Sequence, residues 1–139
     1  MLETPPRLVG IDYGTKRVGI ALSDPLHMVA RPHRTVSPPA LVDELQAIHS
    51  KHGIARIVIG WPLKPDGTAG AMTETVQKCI DAIREALPSV PVDKRDERNT
   101  SELAQQALSD AGVRQPGRHD KGRVDAAAAA LILQHFLDE

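Results

Sequence analysis

Acidic residues stand at three points of this chain where apolar residues or turns would be expected. Asp12 follows the apolar run 8–11, Asp96 and Glu97 lie in a charged cluster after a short strand that contains Val90 and Val92, and Asp125 precedes a run of alanines. Carboxylates that converge repel one another unless a cation lies between them. Mg²⁺ or Mn²⁺ prefers oxygen ligands and keeps bound waters, and such ions can activate water for phosphodiester cleavage. The pattern therefore predicts a divalent-metal site built from carboxylates.

Each carboxylate also has a simpler interpretation. Asp12 is equally suited to forming a turn, because aspartate hydrogen-bonds to nearby backbone amides. Asp125 would be stabilised in a first helical turn by the helix dipole. That role does not explain why helical spacing places it on the apolar face of Ala128, Ala129 and Ile132. Spacing alone does not choose among Asp93, Asp96 and Glu97, and a solvated charged turn explains any one of them.

Hydrophobic periodicity predicts the elements that would position these side chains. Two buried antiparallel strands at 8–11 and 18–22 flank a hairpin turn, and a weak third strand at 29–36 contains Pro32, which favours an edge position. The later elements are a helix from 39 to 53, a strand at 56–60, a helix over 72–87, a strand from 90, a helix over 99–111, a basic loop over 113–123 and a helix over 124–137. This order predicts a mixed five-stranded sheet in an α/β fold, with three antiparallel strands followed by parallel crossovers. The carboxylates would meet at one edge of it.

Length and composition indicate a single domain over residues 1–139. The chain has 17 Lys and Arg against 18 Asp and Glu, so it lacks the overall positive charge of many nucleic-acid-binding proteins. The lone Cys79 forms no internal disulfide, and no apolar run approaches the ~20 residues of a membrane span. We therefore expect a cytoplasmic protein with no membrane partner.

Positive charge is nevertheless concentrated beside the acidic positions. The predicted phosphate contacts are Thr15, Lys16, Arg17, Arg98, Lys121 and Arg123. His119, in the predicted basic loop, is a candidate proton shuttle. Contacts of this kind predict nucleic-acid binding that weakens steeply as salt is added.

Four segments together resemble the motifs of the YqgF/RuvX family. They are GIDYGTKRVGIALSD at 10–24, VIGWPLKPDGTAG at 58–70, DERNTS at 96–101 and KGRVDAAAAALIL at 121–133. The resemblance implies an RNase H-like fold and a nuclease, with Asp12, Glu97 and Asp125 as catalytic metal ligands, and so selects Glu97 over Asp96. It implies cleavage of the 5′ end of pre-16S ribosomal RNA or, alternatively, of a Holliday junction. Trp61 and Asn99 stand where leucine is common in the family, and Trp61 is interpreted mainly as hydrophobic filling.

Two other classes of function fit part of the sequence. The segment Asp-Tyr-Gly-Thr-Lys also resembles the first phosphate loop of the sugar-kinase, Hsp70 and actin ATPases, but those proteins need two such domains and this chain has room for one. A non-catalytic nucleic-acid-binding module on the same fold is the other alternative. Symmetric cleavage of a four-way junction would call for a homodimer.

Overall fold

A computed structural model describes residues 4–62, 70–96 and 121–139 of the chain. The strands in these ranges are β1 (Arg7–Tyr13), β2 (Val18–Ser23), β3 (Ala30–Val36), β4 (Ile54–Trp61) and β5 (Val92–Asp96). The helices are α1 (Leu41–His52), α2 (Ala71–Ala86) and α3 (Lys121–Leu137), and a 3₁₀ turn at Pro38–Ala40 precedes α1.

The strands form one mixed sheet in the order β3-β2-β1-β4-β5. β2 pairs antiparallel with both β1 and β3, whereas β4 pairs parallel with both β1 and β5. The predicted mixed five-stranded sheet is therefore confirmed. β3 lies at the edge, as Pro32 indicated, and its residues 31–34 are exposed.

Alternate residues of the central strands face two different layers of helix. Val9, Ile11 and Ile20 belong to the larger core, which also contains buried residues of α1 and α2. Leu8 and Ala21 lie on the other face and pack with α3. The nearly continuous apolar runs of β1 and β2 reflect this burial on both sides, which is typical of central strands.

Small residues allow α3 to lie very close to the sheet. Ala128 and Ala129 are fully buried, and a β-carbon at Gly10 would lie 2.6 Å from the carbonyl oxygen of Ala129 and 2.7 Å from Cβ of Leu133. Such distances leave no room for a side chain on β1 at that point. The alanine run of α3 thus permits the helix to lie close to the sheet.

Several predicted boundaries differ from the structure, including β1, which extends to Tyr13, and β4, which begins at Ile54. Val90 precedes β5 instead of opening it, and α3 begins at Lys121, so Lys121 and Arg123 belong to a helix and not to a loop. The apolar periodicity begins only at Val124, and Gly122 resembles a loop residue because glycine is a poor helix former. The predicted helix over 99–111 lies outside the described residues. No helix in the described ranges is long and apolar enough to cross a membrane.

Candidate active site

Asp12 and Asp125 are brought together by the pairing of β1 with β2. Asp12 is the register partner of Gly19, and the backbone of Asp125 lies directly over Gly19. A β-carbon at Gly19 would collide with the carbonyl group of Asp125 and lie 2.7 Å from the amide nitrogen of Ala126. Since partnered residues in an antiparallel pair extend to the same face, with β-carbons about 5 Å apart, Asp12 lies beside the N-terminal part of α3.

The position of Asp12 answers why a charged residue follows a buried strand segment. Residues 8, 10 and 12 of β1 share the face that packs on α3, where Leu8 is buried and Gly10 lies under the helix backbone. Asp12 is the member of this set nearest the end of the strand, and it is partly exposed. It therefore occupies the point where the sheet surface emerges from beneath α3.

Arg17 links the β1–β2 turn to α3. Its Nε donates a hydrogen bond to Oδ2 of Asp125 at 2.9 Å, and the two side chains are 38% and 24% exposed. The turn itself is closed by the amide of Gly14, which donates to the carbonyl oxygen of Arg17 at 2.9 Å. Asp125 is the fifth residue of α3, beyond its first turn, so helix-dipole stabilisation does not account for it.

Asp96 lies on the opposite face of the sheet from Asp12. It is the register partner of Trp61 and shares a face with Lys94, whose ammonium group donates to Gln77 of α2 at 2.6 Å. Strand alternation therefore places Asp96 on the α2 side. Glu97, one peptide bond further on, lies outside the described residues.

Trp61 contributes to packing. It is partly buried against the larger core, and the ammonium group of Lys94 lies 4.0 Å from the centre of its ring. One face of the indole is therefore already covered by a cation. The interpretation of Trp61 as hydrophobic filling agrees with this arrangement.

Of the remaining predicted site residues, some lie within the described ranges and others lie outside them. Thr15 and Lys16 are exposed in the β1–β2 turn, beside Arg17. Lys121 and Arg123 lie in the first turn of α3, four and two residues before Asp125. Arg98 and His119 lie outside the described residues.

The donor set of the described site suits a hard cation, since it consists of carboxylate oxygens. Arg17 engages one oxygen of Asp125, which leaves the other for a further partner. Within the described ranges, no three Asp, Glu, His or Cys side chains are gathered at one point. Asp12 and Asp125 could therefore offer at most two carboxylates to a metal ion here, and any third ligand would have to come from residues beyond those ranges.

Gly10 and Gly19 are functional residues that the sequence reasoning did not identify. Their role is to let the backbone of α3 approach β1 and β2 closely enough for Asp125 to lie near Asp12. The available signal was the presence of glycine inside two strands, where it is usually unfavourable, together with the alanine run of α3.

Solved structures with a similar fold include two DNA-junction enzymes. "T. thermophilus RuvC in complex with Holliday junction substrate" superimposes with a TM-score of 0.57 at 16% identity, covering 95% of this chain and 93% of that one. Fowlpox virus resolvase, in complex with Holliday junction DNA, gives a TM-score of 0.60 at 10% identity, covering 95% and 97%. The fold is RNase H-like, of the RuvC type.

Sequence comparison identifies the family. The family described as "RuvX: Holliday junction resolvase" matches residues 6–139, and the chain belongs to this family. A relative from Salinibacter ruber, named "Putative pre-16S rRNA nuclease", is 58% identical over 137 residues, or 99% of this chain and 96% of that protein. A relative of the same name from Chlorobaculum tepidum is 40% identical, covering 95% and 93%.

Proposed function

We propose that the protein is a divalent-metal-dependent nuclease that hydrolyses phosphodiester bonds in structured nucleic acid. The observation that carries this proposal is the placement of Asp12 beside the part of α3 that holds Asp125, through the Asp12–Gly19 pairing. Glu97 is proposed as the third ligand because it directly follows β5, on the far side of β4 from β1. The family assignment and the names of the relatives support the same activity.

Mg²⁺ or Mn²⁺ bound by these carboxylates would activate a water and stabilise charge on the leaving oxygen. The protein contributes a rigid arrangement of its ligands. Asp12 is fixed by the central strand β1, and Asp125 is fixed by the close packing of α3 and by the hydrogen bond from Arg17. No residue is required as a covalent nucleophile.

The exposed Thr15 and Lys16 are proposed to bind backbone phosphates flanking the scissile bond, together with Arg98, Lys121 and Arg123. Arg17 shares this surface but is engaged with Asp125, so we assign it first to positioning that carboxylate. His119 is retained as a candidate proton shuttle.

The proposed substrate is the 5′ end of pre-16S ribosomal RNA, because several full-length relatives at 35–58% identity carry that name. A Holliday junction is the second candidate, favoured by the description of the family. Resolution of such a junction would require a symmetric dimer, whereas trimming of one RNA strand would not.

The test compares Mg²⁺-dependent cleavage of a precursor RNA and of a four-way DNA junction. We expect Asp12→Asn, Glu97→Gln and Asp125→Asn to lose cleavage and to retain binding. Asp96→Asn is the matched control, because Asp96 is an adjacent carboxylate on the opposite face, and it should cleave as the wild type does. Full cleavage by Asp12→Asn would refute the metal site, whereas binding of both substrates by the wild type without Mg²⁺-dependent cleavage would favour a non-catalytic binding module.

A further inference from the structure

A second concentration of positive charge lies at the opposite end of the sheet from Asp12. It surrounds a cavity of about 260 Å³ bounded by the start of β1, the end of β2 and the start of β3. The residues that line it include Arg7, Ser23, Asp24, Arg31 and His33. Asp12 lies five positions after Arg7 on β1, which corresponds to about 17 Å along an extended strand.

Two guanidinium groups at this cavity lack an acidic partner within the described part of the chain. Arg7 and Arg31 form none of the ion pairs found there. The Nε of Arg7 is also buried without a hydrogen-bond acceptor. A buried charged donor normally has an acceptor, and Arg7, whose side chain lines the cavity, lacks one at this atom.

The acidic groups nearest the cavity are already engaged. Oδ1 of Asp24 accepts from the amides of Met28 and Val29 at 2.8 and 2.7 Å, and Oδ2 accepts from Leu26 at 3.1 Å. Glu44, on the neighbouring helix, contacts both His33 at 3.4 Å and Arg34 at 3.2 Å. Neither carboxylate forms an ion pair with Arg7 or Arg31.

The electrostatic environment of His52 is consistent with net positive charge here. Burial lowers the pKa of His52, and the nearby charges of Arg7, Lys51 and His33 lower it further. Arg7, which lines the cavity, therefore contributes positive charge to this region.

We propose that this cavity is a phosphate-binding site, formed chiefly by Arg7 and Arg31 and separate from the carboxylate centre. Arginine binds phosphate oxygens through its planar fork of N–H donors, often in pairs. The phosphate group belongs either to the backbone of a bound nucleic acid, far from the scissile bond, or to a free phosphate or mononucleotide. The first source rests on the proposed function, and the second does not.

The free-ligand arm uses inorganic phosphate and adenosine 5′-monophosphate as probes, followed by ¹H–¹⁵N NMR. Binding at the cavity should shift the amide signals of Ser23, Asp24 and Arg31 in the wild type. Arg7→Gln and Arg31→Gln should abolish these shifts. Arg34→Gln is the matched control, because Arg34 lies on the same strand but is paired with Glu44.

The nucleic-acid arm measures dissociation constants for stems of about 5 and about 15 base pairs centred on the scissile bond, because a cavity about 17 Å away is reached only by about five base pairs on one side of that bond. It is performed in an Asp12→Asn background so that substrate stays intact. If backbone phosphates occupy the cavity, the Arg7→Gln, Arg31→Gln double variant should weaken binding of the longer stem by about 10-fold. It should also reduce the slope of log affinity against log salt by about 2, and leave the shorter stem unaffected.

The outcomes separate the two sources. Loss confined to the longer stem supports a backbone phosphate, and loss confined to the NMR shifts supports a free ligand. If the wild type shows no NMR shifts at the cavity, or if the folded variants match the wild type in both measurements, the phosphate site is refuted. Arg31→Lys, which keeps the charge on an exposed side chain, provides a variant that should fold and lose only the fork geometry. Absence of Mg²⁺-dependent cleavage by the wild type would refute the nuclease proposal without affecting the NMR comparison.

Discussion

The backbone carbonyl of Asp125 lies directly over Gly19, in contact with the position that a β-carbon would occupy. Gly19 is in turn the register partner of Asp12. A residue without a side chain therefore sets the spacing between two acidic residues that are far apart in sequence. The distance between α3 and β2 is consequently part of the candidate active site as well as of the core.

Gly19→Ala should be destabilising. The added methyl group must displace the helix backbone, and overpacking of this kind costs about 1–3 kcal/mol. Because the displacement would move Asp125 relative to Asp12, we also expect a loss of cleavage of about 100-fold where the variant is still folded. Urea unfolding and cleavage assays at low temperature measure the two effects.

Ser37→Ala is the control for that substitution, since Ser37 is exposed and makes no side-chain capping bond. Its free energy of unfolding should remain within about 0.5 kcal/mol of the wild type. A Gly19→Ala protein as stable and as active as this control would show that the close approach of α3 is not required.

Arg17→Gln should weaken metal binding without unfolding the protein. The Arg17–Asp125 pair is partly exposed, so its contribution to stability is at most about 1 kcal/mol. Loss of a hydrogen bond that orients a ligating carboxylate typically costs 10- to 100-fold in metal affinity. We expect the Mg²⁺ concentration for half-maximal cleavage to rise by about 10-fold.

Arg34→Gln removes an exposed arginine of β3 that is paired with Glu44, and it serves as the control for Arg17. Its Mg²⁺ dependence should match that of the wild type. Tighter Mg²⁺ binding by Arg17→Gln would show that Arg17 competes with the metal instead of orienting its ligand.

The order and type of the described helices and strands could be predicted because the spacing of apolar residues along the sequence follows the pattern of burial. Runs such as 8–11 and 18–22 are apolar at both odd and even positions, and therefore on both faces of the strand, which is characteristic of strands covered on two faces. The start of α3 was placed three residues late, because Lys121 and Arg123 carry no apolar periodicity. Helix propensity and hydrophobic periodicity do not locate the start of a helix whose first turn lies before the residues that pack on the sheet.

Which residues lie together in the candidate active site could be predicted only in part. Strand alternation from the buried Val92 places Asp96 on the α2 face, and this signal was available to distinguish it from Glu97. The ion pair between Arg17 and Asp125 joins residues 108 positions apart, and local spacing carries no information about it. Arg17 was therefore predicted only as a phosphate contact.

The β2–β3 turn should lose stability as the pH falls. The pKa of Asp24 is lowered from 3.8, chiefly by the hydrogen bond from the amide of Val29, with further contributions from the amides of Met28 and Leu26. A carboxylate with a lowered pKa stabilises the folded state above its unfolded-state value, and that contribution disappears as the pH falls through the folded-state value. Asp24→Ala should therefore reduce the free energy of unfolding at pH 7 and abolish this component of the pH dependence below about pH 4. Urea titrations at several pH values measure it, and an identical pH profile for the variant would contradict the assignment.

Cys79 should react slowly in the folded protein. Burial raises the pKa of its thiol from 9.0 to about 11, so the reactive thiolate is about 100-fold less populated near neutral pH than in an ordinary cysteine. We expect labelling by a disulfide reagent at pH 8 to be at least 100-fold slower in buffer than in denaturing urea. Equal rates in the two conditions would mean that the packing of α2 against the sheet opens readily.

Mg²⁺ should raise the thermal unfolding temperature through the candidate active site, independently of any substrate. A ligand present at ten times its dissociation constant stabilises the folded state by about 1.4 kcal/mol, which corresponds to about 3–6 °C for a domain of this size. Asp125→Asn should remove most of this shift because it removes a ligand, whereas Asp96→Asn should retain it because Asp96 lies on the other face of the sheet. Differential scanning fluorimetry with increasing Mg²⁺ gives the measurement. An equal rise in unfolding temperature in both variants would mean that Mg²⁺ binds away from the carboxylates of β1 and α3, and it would refute the proposed metal site.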